Sequence, residues 1–420
     1  MEKKYIADNG VRVYSYPNPA LHSFFISLFV SAGNMYSPAE EAGYAHFLEH
    51  IMIRDLNYRS GGELYRTLDL YGMELNAETY NEMIHFYITG AREYFAVGAK
   101  IIASLLSDLS LPASEFEAER ARIKAEMRED DERGSLAALS CAAVWEGTSL
   151  AAPIVGTRRG ISRISLRRLS EYKRRAVCDG NLFFYLTGAV GEAEAELMCR
   201  ECAAYTLPHG EPGNNLAPVP TSFFRRDARV DIKGADFTML RFSFDIDMKE
   251  NTVECTDLLY DVLLCGNNGR LYLEMSEKRG FFYDHSSSLE RYSNIGTLSF
   301  SYEVRPGDIY DAVACTVDIL RELKTSLPQL EYSSAGYIKN ALWLSDDARE
   351  FNFTYAYDYH ILSDSEADIG ERISRYSAVT PQMVMEAAGR IFRPETLVLT
   401  VKGNKRRIDA EKLRAILKTL

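Results

Sequence analysis

At 420 residues the chain is too long for one ordinary hydrophobic core, and its composition, 46% hydrophobic and 26% charged with no low-complexity tract, is that of a globular protein of two or three domains. A formal charge of −12 argues against a nucleic-acid partner, because phosphate binding needs an excess of lysine and arginine, and nowhere do about eighteen apolar residues run together as a membrane span requires. The opening Met1-Glu2-Lys3-Lys4-Tyr5 lacks the apolar stretch of a signal peptide, and seven cysteines scattered from Cys141 to Cys315 do not form a disulfide framework, so a cytoplasmic setting with reduced thiols is expected.

Residues 11–16 and 24–31, rich in valine, tyrosine, phenylalanine and isoleucine, are expected as strands, the second closed by the Ala32-Gly33-Asn34 turn. Helices follow over 43–54 and 62–71, with Gly72 as a stop. The first of them holds His46-Phe47-Leu48-Glu49-His50. Positions four apart stack on one helix face and positions three apart sit beside them, so two imidazoles share one ion while the carboxylate leans over it. This H-x-x-E-H spacing is that of an inverted zinc site. Zinc takes about four tetrahedral ligands and a catalytic site keeps one place for water, so a third protein ligand must come from elsewhere in the chain.

Residues 74–79 and 83–89 read as a strand pair around Tyr80-Asn81-Glu82. Helical patterns cover 91–109 and 114–131, the second preceded by Pro112 and capped by Ser114 with Glu117 three residues on. Glu119 and Glu126 are seven apart on that second helix, two turns, and so share a face. Either closes a zinc site. A strand over 181–187 and a helix over 192–205 complete the first half; Cys199 and Cys202 form a C-x-x-C inside that helix, without a second pair at finger-like spacing, and receive no metal or redox role.

From 206 to 223 proline, glycine and asparagine dominate, and we place a linker at 208–222, between a first domain at 1–207 and a second at 223–420. The second half echoes the first: Gly62-Glu63-Leu64-Tyr65 and Gly72 return as Gly269-Arg270-Leu271-Tyr272 and Gly280, at offsets of 207 and 208. The expected fold is therefore α+β, two similar domains, each an antiparallel-dominated sheet flanked by helices. Around 255–261, where a second zinc helix would fall, there is no histidine, so only the first half carries a metal motif.

Three separated segments, Gly43-Tyr44-Ala45-His46-Phe47-Leu48-Glu49-His50, then Asn76-Ala77-Glu78-Thr79, then Glu119-Arg120 with Glu126, resemble in their order the insulinase, pitrilysin and mitochondrial processing peptidase family. Ala32-Gly33-Asn34-Met35-Tyr36 and Gly266-Asn267-Asn268-Gly269-Arg270-Leu271 resemble family segments as well. The family's third ligand lies about seventy-six residues beyond the second histidine, which here is position 126. The resemblance implies His46, His50 and Glu126 as ligands of Zn2+, Glu49 as general base, and Glu119 as an outer carboxylate orienting a histidine through its free ring N–H. It also implies that the edge strand near Asn76 takes a peptide as an added antiparallel strand, with Asn76 and Ala77 in backbone contact near the scissile bond.

In one place the chain departs from the family. Members that bind substrate through their second half carry an arginine seven residues before a tyrosine; the tyrosine is here as Tyr283, but Ser276 stands where the arginine belongs, with Lys278 and Arg279 nearby. Larger relatives close a chamber from four such units whereas this chain has two, so the resemblance implies a second peptidase-like chain, a copy of itself or a paralogue. The leading expectation is a zinc endopeptidase that cuts extended oligopeptides or unfolded segments. A non-catalytic or assembly subunit of a peptidase complex, and a protease dedicated to one leader peptide, are the alternatives.

The remaining features take plainer readings. His85 lies in a strand pattern and is expected in the core, the aromatic run 351–359 is expected as core with chamber lining as its alternative, and Arg158, Arg159, Arg163, Arg167 and Arg168 as a solvated helix face. Gly266 to Gly269 is not a phosphate loop, since no Gly-Lys-Ser/Thr follows it.

Overall fold

The computed structural model describes residues 1–129, 135–210, 228–266, 268–327, 330–363 and 365–420. The chain is α+β, with two sheets flanked by helices. The first sheet comprises β1 (Lys3–Ile6), β2 (Arg12–Pro17), β3 (Ser23–Val30), β4 (Glu74–Thr79), β5 (Ile84–Ala91) and β6 (Leu182–Gly188), in the order β1-β2-β6-β3-β5-β4. The second comprises β7 (Arg229–Gly234), β8 (Thr238–Asp247), β9 (His285–Arg291), β10 (Ile295–Val304) and β11 (Leu397–Gly403), in the order β7-β11-β8-β10-β9. Without β1, one order turns into the other by adding five to each strand number. The pairing agrees too: β2 with β6 and β7 with β11 are parallel, and the remaining neighbours antiparallel. The expected duplication is thus written in the topology.

Each sheet lies in a compact unit of its own, and each unit is completed by a segment from the other half of the chain: among the described residues, 342–363 and 365–368 join the first unit and 135–146 the second. In the first unit both faces of the sheet are covered, which is why β3 (Ser-Phe-Phe-Ile-Ser-Leu-Phe-Val) reads as a continuous apolar run instead of an alternating one. Phe24, Ile26, Leu28 and Val30 enter the main core with the helix Tyr44–Arg59. The other face of the sheet meets the helix Ala348–Tyr355. It starts at Asp347, whose carboxylate caps the Arg349 and Glu350 amides, and it seats Phe351 against Tyr16 at 4.7 Å. Asn352, fully buried, donates to Tyr185 O at 2.9 Å and to Thr187 Oγ1 at 3.0 Å. Most of the aromatic run is therefore core: Phe351, Tyr355 and Tyr359 are buried. In the second unit the helix Leu136–Val144 covers the sheet in the same way, and its buried Ser140 bonds Ser243 of β8 at 2.7 Å.

Some boundaries differ from expectation. The first helix continues to Arg59, because Asp55 and Leu56 are still buried and the break comes only at Gly61-Gly62. The expected helix at 91–109 is shorter: Phe95–Ala103 gives way to a 3₁₀ turn over Ser104–Leu106, where the Ser104 and Ser107 hydroxyls bond backbone carbonyls and compete with the helix ladder. Strand β1 was not anticipated, since exposed lysines mark a protected edge more than a strand. Of the expected linker at 208–222, everything from 211 on lies outside the described residues, as do 130–131 of the helix expected at 114–131 and Asn267 of the 266–271 segment. Among the described residues no helix is long and apolar enough to cross a membrane.

Candidate metal centre

The helix Tyr44–Arg59 begins at Gly43 with φ of 88°, and a Cβ there would lie 2.9 Å from the Gly156 Cα, so only glycine fits this entry. The helix then buries Phe47, Leu48, Ile51 and Met52 in the core, which turns His46, Glu49 and His50 to the other side. The two imidazoles sit one above the other with ring centres 4.6 Å apart.

The helix Ala113–Glu129 supplies the third group. Glu126 Oε1 lies 3.4 Å from His46 Nε2, and Glu126 Oε2 lies 3.5 Å from His50 Nε2. Tetrahedral zinc with bonds of roughly 2.0–2.1 Å sets neighbouring donors roughly 3.3 Å apart. The observed spacing matches, and one donor atom from each of the three residues lies within 4.8 Å of the other two. Two neutral imidazoles and one carboxylate also suit zinc chemically, leaving a net charge of about +1 at the site.

Glu119, the other carboxylate on that helix face, is engaged elsewhere. It is 2% exposed, and its Oε1 accepts from His50 Nδ1 at 2.8 Å while Oε2 accepts from Arg54 Nη1 at 2.6 Å. A carboxylate so engaged holds the His50 ring, favours the tautomer with its proton on Nδ1 and leaves the Nε2 lone pair facing Glu126. Burial works against ionisation of Glu119, but His50 and Arg54 outweigh it and hold its pKa below the usual value. His46 lowers that of Glu126 against the effect of burial. For His50 burial disfavours the cation, yet Glu119, Glu49 and Glu126 together raise its pKa. In the free site, proton and metal therefore compete for the same ring.

Glu49 is aimed from the sheet. Thr79 Oγ1, on the last residue of β4, donates to Glu49 Oε2 at 2.6 Å. Asn76 and Ala77 lie on the same strand, which is the edge of its sheet. The Asn76 side chain donates to Tyr87 OH at 3.2 Å and accepts from the Ala77 amide at 2.9 Å. Beside them opens a cavity of about 730 Å³ whose wall includes Glu49, His50, Ile53, Tyr65, Leu75 and Ala77. Tyr283 belongs to the second unit and is 93% exposed; Ser276, in place of the family's arginine, donates to Phe282 O at 2.8 Å.

Thr79 and Arg54 were not singled out from sequence. Arg54 follows His50 by four and so lies on the same helix face, a legible signal; Thr79 lies thirty residues from Glu49, and nothing local connects them. His85 is a core residue, as expected: it bonds Ser27 at 2.8 Å, stacks on Phe29, and burial with Arg349 nearby pushes its pKa down to about 3. Cys202 is buried and Cys199 half-buried on their helix, and both are free thiols.

Residues 12–158 match the family model described as insulinase (peptidase family M16), and residues 163–335 match that of the peptidase M16 inactive domain. An uncharacterized zinc protease of Mycobacterium tuberculosis is 26% identical over 320 residues, 75% of this chain and 73% of that one. Another, from Bacillus subtilis, is 21% identical over 398 residues, 93% of this chain and 96% of its own. The crystal structure of a protease from Helicobacter pylori superposes with a TM-score of 0.84 at 14% identity, covering 96% of this chain and 99% of that one, a likeness of fold alone.

Proposed function

This chain belongs to the insulinase family, peptidase family M16, and we propose that it is a zinc-dependent endopeptidase hydrolysing extended oligopeptides or unfolded segments in a chamber formed with a second chain. The observation that carries this reading is the carboxylate of Glu126 facing the Nε2 atoms of both histidines, with Glu49 held beside them by Thr79. Zinc in this donor set supplies Lewis acidity toward water and the peptide carbonyl. His46, His50 and Glu126 hold it there.

Glu49 does the proton work. Thr79 engages its Oε2, so Oε1 is the oxygen left to accept a proton from the attacking water and to return it to the leaving amine. Edge strand β4 aligns the substrate by backbone pairing, which gives affinity with little demand on sequence, and Asn76 and Ala77 are the proposed contacts near the scissile bond. Glu119 acts through His50.

The second chain is proposed because two units are half of what larger relatives use, and because Ser276 leaves Tyr283 without the family's arginine. Seven cysteines scattered without the pattern of a disulfide framework suit the cytoplasm as the setting. A non-catalytic subunit is the second reading, supported by the inactive-domain description that residues 163–335 match. Against it speaks the first half, where His46, His50 and Glu126 lie close enough to share an ion and Glu49 stands beside them. The test is elemental analysis for zinc on one preparation, together with cleavage of a peptide library with and without chelator beside Glu49→Gln. About one zinc per chain and chelator-sensitive cleavage lost in Glu49→Gln supports the proposal; a zinc-loaded chain that cleaves nothing, alone or with candidate partners, overturns it.

A further inference from the structure

We propose that edge strand β4 carries a seat for one cationic side chain of the substrate, a lysine or arginine opposite Asn76, and that Arg349 fills this seat in the free chain. The inference rests on β4 being the strand that receives the peptide.

Residues opposed across an antiparallel pair point to the same face of the sheet, and their diagonal neighbours stay within reach of long side chains. A substrate residue opposite Asn76 therefore has Glu74 and Glu78 as its diagonal neighbours on β4. By alternation this is the face opposite to the one from which Thr79 reaches Glu49. Both carboxylates are held by phenols, one on β5 and one in the turn that follows β4. Tyr87 OH donates to Glu74 Oε1 at 3.2 Å, and Tyr80 OH donates to Glu78 Oε2.

A cation already occupies the place between them. Arg349, from the helix Ala348–Tyr355, lies 3.8 Å from Glu74 Oε1 and 3.7 Å from Glu78 Oε1, with its guanidinium 4.6 Å from the ring centre of Tyr87. The space and chemistry thus suit a guanidinium or an ammonium. Both contacts are longer than hydrogen bonds, and Arg349 is 46% exposed between carboxylates that are 55% and 43% exposed. Pairs of this kind contribute little and exchange readily. One guanidinium against two carboxylates also leaves a negative charge uncompensated, which favours the arrival of a second cation. A substrate side chain brought in by backbone pairing has the higher effective concentration, and Arg349 swings into solvent.

The experiment uses peptides carrying a single lysine, walked along an otherwise neutral sequence, each paired with its acetyl-lysine twin of equal length and no charge. The zinc-loaded full chain, Arg349→Gln and Glu78→Gln are compared by the ratio of kcat/KM for lysine over acetyl-lysine. Wild type is expected to show a ratio of about five at one position, the size of a half-exposed ion pair. Arg349→Gln raises that ratio further, and Glu78→Gln brings it toward one. A ratio of one at every position in wild type and Arg349→Gln overturns the seat while peptide cleavage stands. Equal loss for both twins in Arg349→Gln also overturns it, leaving Arg349 a mere brace. If nothing is cleaved, binding of the same fluorescent twins to Glu49→Gln decides: a lysine preference sustains the seat without catalysis, and its absence ends both.

Discussion

Thr79 donates a hydrogen bond to Glu49 over 2.6 Å, and so ties the end of the edge strand to the carboxylate beside the two histidines. Strand and carboxylate are thereby one mechanical unit: whatever aligns on β4 aligns against Glu49. Thr79→Val removes the bond at constant shape. A hydrogen bond to a charged group is worth about 1.5–3 kcal/mol, so kcat is expected to fall roughly tenfold or more. KM changes less, and Thr79→Ser restores most of the rate. Steady-state kinetics checks it; a change confined to KM would place Thr79 in substrate binding instead.

Glu126→Gln is expected to lose zinc, because the amide cannot supply the anionic oxygen that faces both imidazoles. Glu119→Gln keeps all three donors but loses the negative charge and one of the two accepting oxygens, so a single amide oxygen is left to serve both His50 and Arg54. Its zinc affinity is expected to weaken by about 10- to 100-fold. Competition against a chromophoric chelator measures both, and a Glu126→Gln protein that binds zinc as wild type does would disprove the ligand set.

Lys173 provides a pH signature away from the metal. It is buried, donates to Leu105 O at 3.0 Å and Ser107 O at 2.6 Å, and burial pushes its pKa down to about 7 from 10.5. Between those two values the unfolded chain binds the proton and the folded chain does not, so stability rises with pH in that window. From pH 7 to 8.5 the contribution of Lys173 to this rise is about 1.5 kcal/mol, and the difference between wild type and variant isolates it from the thiols that titrate in the same window. Lys173→Met should be less stable at pH 8.5, with two carbonyls left unpaired, and should lack this slope. Urea titrations of the two proteins at matched pH check the difference; parallel pH profiles would contradict it.

Gly43→Ala is expected to harm the metal centre from outside it. With φ of 88° and only 2.9 Å to the Gly156 backbone, an alanine strains the first turn of the helix that carries both histidines. The expected cost is about 2 kcal/mol or more, with weaker zinc binding as its companion. Thermal melts with and without zinc check this, and a variant as stable as wild type would show that the loop at Gly156 yields.

What was legible in the sequence is what local spacing encodes. His46, Glu49 and His50 declare themselves because three and four residues make one helix face, and the β4–β5 pair and Gly72 follow from turn chemistry. Glu126 was reachable only through family resemblance, since Glu119 has the same residue type and the same face, and the difference between them is which carboxylate meets a ring Nε2 and which an Nδ1. Thr79 and Arg349 stayed hidden for another reason. Their partners lie 30 residues and more than 270 residues away, and no period of 2 or 3.6 carries information over such distances. The aromatic run at 351–359 showed that it wanted a partner surface but not that the surface was the first sheet.

The placement of that helix sets a schedule for synthesis. The ribosome releases β1 to β6 long before it makes Ala348–Tyr355, so while residues 189–347 are being made one face of the first sheet, with Phe25, Phe29 and Tyr185, has no cover. A nascent chain in that state is a natural client for holding chaperones, and a message truncated before Ala348 yields a protein whose histidine-bearing helix is complete but whose sheet is bare. Any stop codon or frameshift upstream of Ala348 therefore leaves this face bare, however far beyond the two histidines it falls.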